Sequence, residues 1–252
     1  MIVFITGASA GFGSAIVRRA VADGHRVIAT ARRLDRLEAL ATELGSAVLP
    51  LELDVQDSAA IAAAVDKLPP DWRAIDVLVN NAGLALGLEP AHQVALSDWD
   101  QMIKTNVNGV VYCTRAILPG MVERGRGHIV NLGSVAGEFP YPGGNVYGAT
   151  KAFVHQFSLN LRSDLSGTGV RVTNVEPGMS GGTEFSAVRF KGDEERASKV
   201  YDGTQSLTAE DIAETVAWVT GLPAHVNINT IQLMPTCQSF SPFNIARTPR
   251  SA

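Results

Sequence analysis

The sequence predicts an α/β fold: a single Rossmann-type doubly wound domain with a seven-stranded parallel sheet flanked by helices. Three observations predict it. Short apolar, β-branched runs alternate with segments of helical periodicity from residue 2 to residue 234. The first of these runs ends in a glycine-rich turn, Gly7-Ala-Ser-Ala-Gly11-Phe-Gly13, that opens a helix. No internal repeat or linker divides the 252 residues, a length that one α/β domain can fill, so 1–252 is read as one domain.

The run 2–6 reads as the first strand, and Ile16, Val17, Ala20 and Val21 carry the helix after it. Glycines in the turn between them remove the Cβ atoms that would hold a phosphate off the backbone N–H groups. The helix N-terminus adds partial positive charge. Gly7, Ser9, Gly11, Phe12 and Gly13 are therefore candidate cofactor contacts. Their spacing is Gly-x-x-x-Gly-x-Gly, which differs from the Gly-x-Gly-x-x-Gly fingerprint of other dinucleotide domains. A strand over 26–30 ends in Ala29-Thr30-Ala31-Arg32-Arg33. No carboxylate stands there to take a ribose 2′-hydroxyl, whereas guanidinium groups suit the 2′-phosphate of NADP. Arg32 is the preferred phosphate ligand; Arg33 is either a second one or a solvated helix-start residue beside Asp35.

Residues 34–44 read as a helix, 48–53 as a strand and 58–68 as a helix with Ser58 as its N-cap. Asp54 and Val55 follow that strand at the sheet edge where such folds bind ligands. Asp54 either accepts a bond from an adenine amino group or caps the next turn. The strand 76–79 closes in Asn80-Asn81-Ala82-Gly83, which either builds a turn or lines the cofactor cleft through Asn81, Ala82 and Gly83. After a loop over 84–96, Ser97-Asp98-Trp99 starts a long helix that runs to about 122. Asn106 within it competes for backbone bonds and Pro119 removes one, so local irregularity is expected.

The strand 127–133 places Ser134 at its carboxyl end, and a loop over 136–144 leads into a helix through Phe153, Val154, Phe157, Leu161 and Leu165. The strand 170–175 is broken by Glu176-Pro177-Gly178. Between 179 and 207 the composition shifts to Gly, Ser, Thr and charges, as expected of a substrate loop or lid. A helix over 208–220 opens with the capping box Thr208-Ala-Glu-Asp211, and 229–234 forms the last strand. From about 235 the tail is rich in proline and serine.

Tyr147 and Lys151, four apart on one helix, share a face with roughly 5–6 Å between β-carbons. An isolated phenol titrates near ~10, and a neighbouring ammonium favours its ionised form and lowers that value toward the working range. Ser134 is placed to hold a substrate oxygen. The balance of 21 Lys and Arg against 25 Asp and Glu contains no basic run, which argues against nucleic-acid or membrane-surface binding. Small molecules are the expected partners. Cys113 and Cys237 make neither a disulfide framework nor a metal-ligand spacing, and no metal is expected. A strand that starts at the first residues and the absence of a long apolar run point to a soluble cytoplasmic chain.

Thr6-Gly7-x-x-x-Gly11-x-Gly13, Asn80-Asn81-Ala82-Gly83, Asn106, Ser134, Tyr147-x-x-x-Lys151 and Pro177-Gly178 stand together in order. In this the chain resembles the short-chain dehydrogenase/reductase family over nearly its whole length. More narrowly, Pro90-Ala91-His92, the stretch 145–153, Gly181-Gly-Thr-Glu-Phe185, 188–193 and 222–229 resemble the bacterial NADP-dependent 3-hydroxy acid dehydrogenases. That group is also described as serine or L-allo-threonine dehydrogenases and malonic semialdehyde reductases. The resemblance implies hydride transfer between NADP(H) and a small 3-hydroxy acid or its semialdehyde or keto form. It implies Tyr147 as proton donor and acceptor, Lys151 as the group lowering its pKa and holding the nicotinamide ribose, and Ser134 as donor to the developing alkoxide. It further implies a proton-relay water anchored by Asn106, a carboxamide contact from Thr183, cofactor contacts from Pro177 and Gly178, and a homotetramer. Three departures bear on the substrate. The 177–183 segment is one residue longer than the commonest family pattern, Ser180 replaces an aliphatic residue, and Glu138 either faces the pocket or lies at the surface. In the pocket it would repel a carboxylate unless Arg189 or Lys191 offsets it; Arg189 in turn is either a pocket residue or a solvated one. A broader carbonyl reductase acting on keto esters or ketones is the alternative.

Overall fold

In the computed structural model, which describes residues 1–240, all seven predicted strands form. They are β1 (Ile2–Thr6), β2 (Arg26–Ala31), β3 (Val48–Glu52), β4 (Val77–Asn80), β5 (Gly127–Leu132), β6 (Val170–Pro177) and β7 (Thr230–Leu233). They pair in parallel in the order β3-β2-β1-β4-β5-β6-β7. Because β1 pairs with β2 on one side and β4 on the other, the winding reverses between β1 and β4. That opens a crevice at their carboxyl ends, the place where doubly wound sheets bind ligands.

Both faces of the sheet are covered, as parallel pairing requires. Side chains alternate along β1: Val3 and Ile5 face one layer, packed on Ile16 and Val17 of α1 (Gly11–Ala22), Leu37 of α2 (Leu34–Leu44) and Ile212 of α9 (Ala209–Gly221). Ile2 and Phe4 face the other layer, with Ile61 of α3 (Ser58–Asp66) and with Cys113, Ile117 and Met121 of α5 (Gly109–Glu123). Two buried layers of this kind fix the strand ends, and hence the site, against movement.

The helix that carries Tyr147 and Lys151, α6 (Asn145–Asp164), is tied to the sheet by a buried amide chain. Asn80 Nδ2 donates to Asn131 Oδ1 (2.8 Å) and to Thr114 Oγ1 (3.1 Å), Asn131 Nδ2 donates to Ser158 Oγ (2.8 Å), and Ser158 Oγ donates to Val154 O (2.7 Å). Asn80 is therefore a strand residue that braces α6. In the low-dielectric interior these bonds are worth more than at the surface, and leaving one unmade costs about 1–3 kcal/mol.

Several boundaries differ from expectation. Asp57, not Ser58, caps α3, because its Oδ1 accepts the Ala60 N–H at 2.9 Å. The expected irregularity at Asn106 is a π-helical turn, Lys104–Asn108, between α4 (Leu96–Ile103) and α5, while α5 continues through Pro119. The capping box of Thr208 and Asp211 forms. The 179–207 segment contains two short helices, α7 (Phe185–Arg189) and α8 (Glu194–Lys199), and returns to the sheet edge through a bridge between Ser180 and Leu207. The last part of the predicted tail, 241–252, lies outside the described residues. Among the described residues no helix is long and apolar enough to cross a membrane.

Candidate active site

A cavity of about 630 Å³ runs along the carboxyl ends of the strands from the glycine turn to α7. At one end Gly7 and Gly11 hold positive φ, +67° and +52°, a conformation that glycine adopts without a Cβ penalty. A Cβ on Gly7 would stand 2.9 Å from the Ala82 backbone and from Asn81 Nδ2. A cradle only glycine can form, at a helix N-terminus, fits a pyrophosphate. Ser9, Gly11 and Phe12 line it, as expected, whereas Gly13 does not. Gly13 acts in packing: a Cβ there would lie 2.2 Å from the Gly7 carbonyl oxygen, so α1 can approach β1 only with glycine at that position.

Arg32 and Arg33 both border the cavity, but differ in their attachments. Arg33 donates to Ser9 Oγ from Nε (3.2 Å) and Nη2 (3.0 Å), and to Glu184 Oε2 (2.9 Å) from Nη1. Arg36 holds the other Glu184 oxygen at 2.6 Å. The Arg32 side chain makes no hydrogen bond among the described residues, which leaves its guanidinium fork open toward the cavity. Asp54 and Val55 also line the cavity. Asp54 Oδ1 accepts the Gln56 N–H at 3.0 Å, so it caps that turn while bordering the cleft.

Asn81, Ala82 and Gly83 lie where the β1 and β4 ends diverge. Thr6 Oγ1 accepts the N–H of both Asn81 (3.0 Å) and Ala82 (2.9 Å), and Asn81 Nδ2 donates to Thr6 O (2.8 Å) and Gly7 O (3.2 Å). These bonds lock the floor to the glycine cradle. Over it, the side chain of Thr183 reaches within contact distance of the space at Gly11, so the 179–207 segment approaches the glycine turn. Pro177 and Gly178 close the β6 side.

At the other end Ser134, Tyr147 and Lys151 converge, all buried. The Ser134 hydroxyl accepts the Ala136 N–H (3.1 Å) and donates to Pro177 O (3.4 Å). Burial pushes the Tyr147 phenol up to about 12, with the neighbouring Ser134 hydroxyl pulling it down, Tyr141 pushing it up and the Arg189 charge opposing. Lys151 Nζ donates to Leu132 O at 2.7 Å and lies 5.9 Å from the Tyr147 ring centroid. The expectation that Lys151 brings the phenol down is thus corrected: desolvation dominates and Lys151 is not among the groups that shift the phenol, while burial also pushes the Lys151 ammonium down to about 8. At neutral pH the phenol holds its proton and the amine remains mostly charged. Asn106 Oδ1 accepts the Leu84 N–H (2.9 Å), and its Nδ2 donates to Leu84 O (2.8 Å) and Thr150 Oγ1 (3.0 Å). Gly83 packs between Asn106 Oδ1 and Lys151 Nζ, its missing Cβ leaving 3.3 and 3.5 Å to them.

The substrate end contains Ser180, whose hydroxyl donates to Gly178 O at 3.2 Å, and Arg189 of α7. The Arg189 guanidinium stands 5.6 Å from the Tyr147 ring centroid. Glu138 is not there. Its side chain turns away to Gln232 Nε2 (3.2 Å) and His155 Nδ1 (3.8 Å), beside the fully buried Glu176. The turn Val135–Gly137 after Ser134 carries it out of the cavity. Glu138, His155 and Glu176 could hold an ion by proximity alone, but donors from His155, Asn174 and Gln232 already satisfy the buried Glu176 carboxylate. Lys191 pairs with Asp98 at 2.8 Å. Pocket residues that sequence reading missed are Tyr141, on the loop before α6, and Phe185, whose ring is 5.8 Å from that of Tyr147. Tyr141 in a loop and Phe185 at the start of a five-residue helix stand outside any hydrophobic periodicity and gave no signal.

A nucleotide cradle at the switch point of a parallel sheet, continuous with a buried Ser-Tyr-Lys group, is the arrangement of a dinucleotide-dependent oxidoreductase. Residues 1–194 match the model of the short chain dehydrogenase family, and the chain belongs to that family. Among its relatives, the NADP-dependent 3-hydroxy acid dehydrogenase YdfG of Salmonella typhi is 64% identical over 248 residues, 98% of this chain and 100% of that protein. The serine 3-dehydrogenase of Agrobacterium fabrum is 53% identical over 97% of this chain and 98% of its own length. A closed form of serine dehydrogenase complexed with NADP+ superposes with a TM-score of 0.97 at 60% identity, over 98% of this chain and all of that one.

Proposed function

We propose that this chain is an NADP-dependent oxidoreductase that moves a hydride between the nicotinamide and a small 3-hydroxy acid or its semialdehyde or keto form. The observation that carries the substrate class is Arg189, a cation fixed beside the proton donor with no carboxylate of the chain bonded to it among the described residues. Bound NADP(H) supplies the hydride chemistry. Arg32, helped by Arg33, selects the 2′-phosphate, and Gly7, Ser9, Gly11 and Phe12 receive the pyrophosphate.

Tyr147 gives its phenolic proton to the carbonyl oxygen in reduction and takes it from the hydroxyl in oxidation. The Ser134 hydroxyl donates to the oxygen as negative charge grows on it, an interaction stronger in the transition state than before it. Lys151 opposes the negative charge left on Tyr147 and serves the ribose. The π-helical turn of Asn106, next to Lys151 across Gly83, lies on the route by which protons are replaced. Ser180 completes the wall at the nicotinamide end, and Thr183 reaches over Gly11 at the glycine turn. Arg189 binds the carboxylate, and Glu138, which would repel it, lies outside the pocket.

The same reading takes the chain as a cytoplasmic homotetramer. Phe153, stacked 5.6 Å from Phe157 on the outer face of α6, and the half-exposed Trp218 of α9 are apolar surface that association would cover. The activity is tested by following NADPH absorbance with 3-hydroxypropionate, with serine and with a neutral keto ester. The proposal expects the hydroxy acids to have the higher kcat/KM. Turnover confined to the keto ester would make the chain a broader carbonyl reductase.

A further inference from the structure

Arg189 is held over Tyr147 by contacts from two separate loops. Its Nε donates to Gly87 O at 3.2 Å, and the Gly87 N–H donates back to Arg189 O at 2.9 Å. Its Nη2 donates to the Tyr141 hydroxyl at 2.7 Å, with the guanidinium carbon 5.4 Å from the Tyr141 ring centroid. The two loops also hold each other. Gly143, at φ +80°, presses its backbone so near Leu88 that a Cβ would lie 2.4 Å from the Leu88 carbonyl oxygen. Asn145 Nδ2 donates to Glu89 O at 3.3 Å. Tyr141 is thus a fixed point rather than a surface side chain that follows its neighbour.

The division of donors matters. A guanidinium presents five N–H groups in a planar fork. Here Nε faces Gly87 and Nη2 faces Tyr141, while Nη1 meets no acceptor among the described residues. Two anchors set the plane of the fork and leave Nη1 and the second Nη2 hydrogen unpaired among the described residues, with the guanidinium carbon 5.6 Å from the Tyr147 ring centroid. An arginine held by Gly87 alone could swing about its long side chain, and ordering it on binding would weaken the complex.

We propose that Tyr141 is a positioning residue for carboxylate specificity, its hydroxyl fixing the Arg189 guanidinium so that the open edge of the fork meets the substrate carboxylate. This rests on the reading of Arg189 as the carboxylate ligand. The aromatic ring of Tyr141 fills the same space in phenylalanine, so Tyr141→Phe removes the anchor and leaves the packing.

The test measures kcat and KM of Tyr141→Phe, Arg189→Ala and the double variant, with 3-hydroxypropionate and with a neutral keto ester. A hydrogen bond to a charged group supports an expected rise in the KM of Tyr141→Phe for the acid of about tenfold. Its kcat should stay within about twofold, and the keto ester should be unaffected. In the Arg189→Ala background the Tyr141→Phe change should have no further effect on the acid, since the two act as one unit. An equal rise for both substrates, or a tenfold effect that persists without Arg189, would overturn the assignment. If Arg189→Ala raises the KM for the acid while Tyr141→Phe is silent, only the role of Tyr141 fails. If Arg189→Ala leaves that KM unchanged, the carboxylate reading beneath it fails as well.

Discussion

Replacing Lys151 by Met should make the protein more stable at neutral pH while removing its activity. The Lys151 amine is buried and its pKa stands at about 8 against an ordinary 10.5. Holding the ammonium in that site therefore costs about 3 kcal/mol at pH 7. Methionine fills a similar volume without charge, but leaves Leu132 O, now bonded at 2.7 Å, without its donor, a loss of about 1–3 kcal/mol. The net expectation is a gain of about 1 kcal/mol, or roughly 2–4 °C in Tm for a chain of this size. The pH dependence gives the sharper check. Below about pH 8 folded and unfolded chains both carry the proton, and the full cost is present. Between about 8 and 10.5 the unfolded chain binds more protons than the folded one, so the stability of the parent rises with pH through that window. The variant lacks this rise, and the ranking should invert above about pH 9. Urea unfolding followed by circular dichroism, at equal protein concentrations from pH 7 to pH 10, measures both. A variant less stable than the parent at pH 7, or a difference that does not move with pH, would refute the buried-ammonium argument.

Two further substitutions probe the cofactor end. Arg32→Ala should raise the KM for NADPH by about 10- to 100-fold through loss of a charge-assisted contact, and change that for NADH by less than about threefold; steady-state kinetics with both cofactors decide, and equal losses would show that Arg32 does not read the 2′-phosphate. Gly13→Ala places a Cβ against the Gly7 carbonyl oxygen and should destabilise by about 1–3 kcal/mol and weaken NADP binding. Unchanged melting temperature and affinity would mean that α1 does not need this close approach.

The parts of the fold visible in the sequence were those governed by local periodicity and turn chemistry. All seven strands were legible because parallel strands buried on both faces read as continuous apolar runs, and the capping box at Thr208 was legible because its pattern is short. Helices α7 and α8 were not, since five- and six-residue helices in a polar segment are decided by what they pack against. In the site, spacing identified the glycine cradle and the pair of Tyr147 and Lys151. It gave the wrong sign for the phenol, because i,i+4 geometry says nothing about desolvation, and burial of the whole cluster dominates. Glu138 stood open between pocket and surface for a related reason: counting from Ser134 cannot reveal a turn that rotates the side chain toward His155. Arg189 and Tyr141 meet across 48 residues, a contact only the folded chain defines.

The central claim is that Tyr147 handles the proton in an NADP-linked reaction. It is tested most directly by single-turnover and steady-state rates of Tyr147→Phe with NADPH and malonic semialdehyde, alongside NADPH binding by fluorescence. NADPH affinity should stay within about threefold of the parent and turnover should fall by at least about 10²-fold, the lower end of what a positioned general acid contributes. Reduction at a rate near that of the parent, with the cofactor bound as tightly, would contradict it.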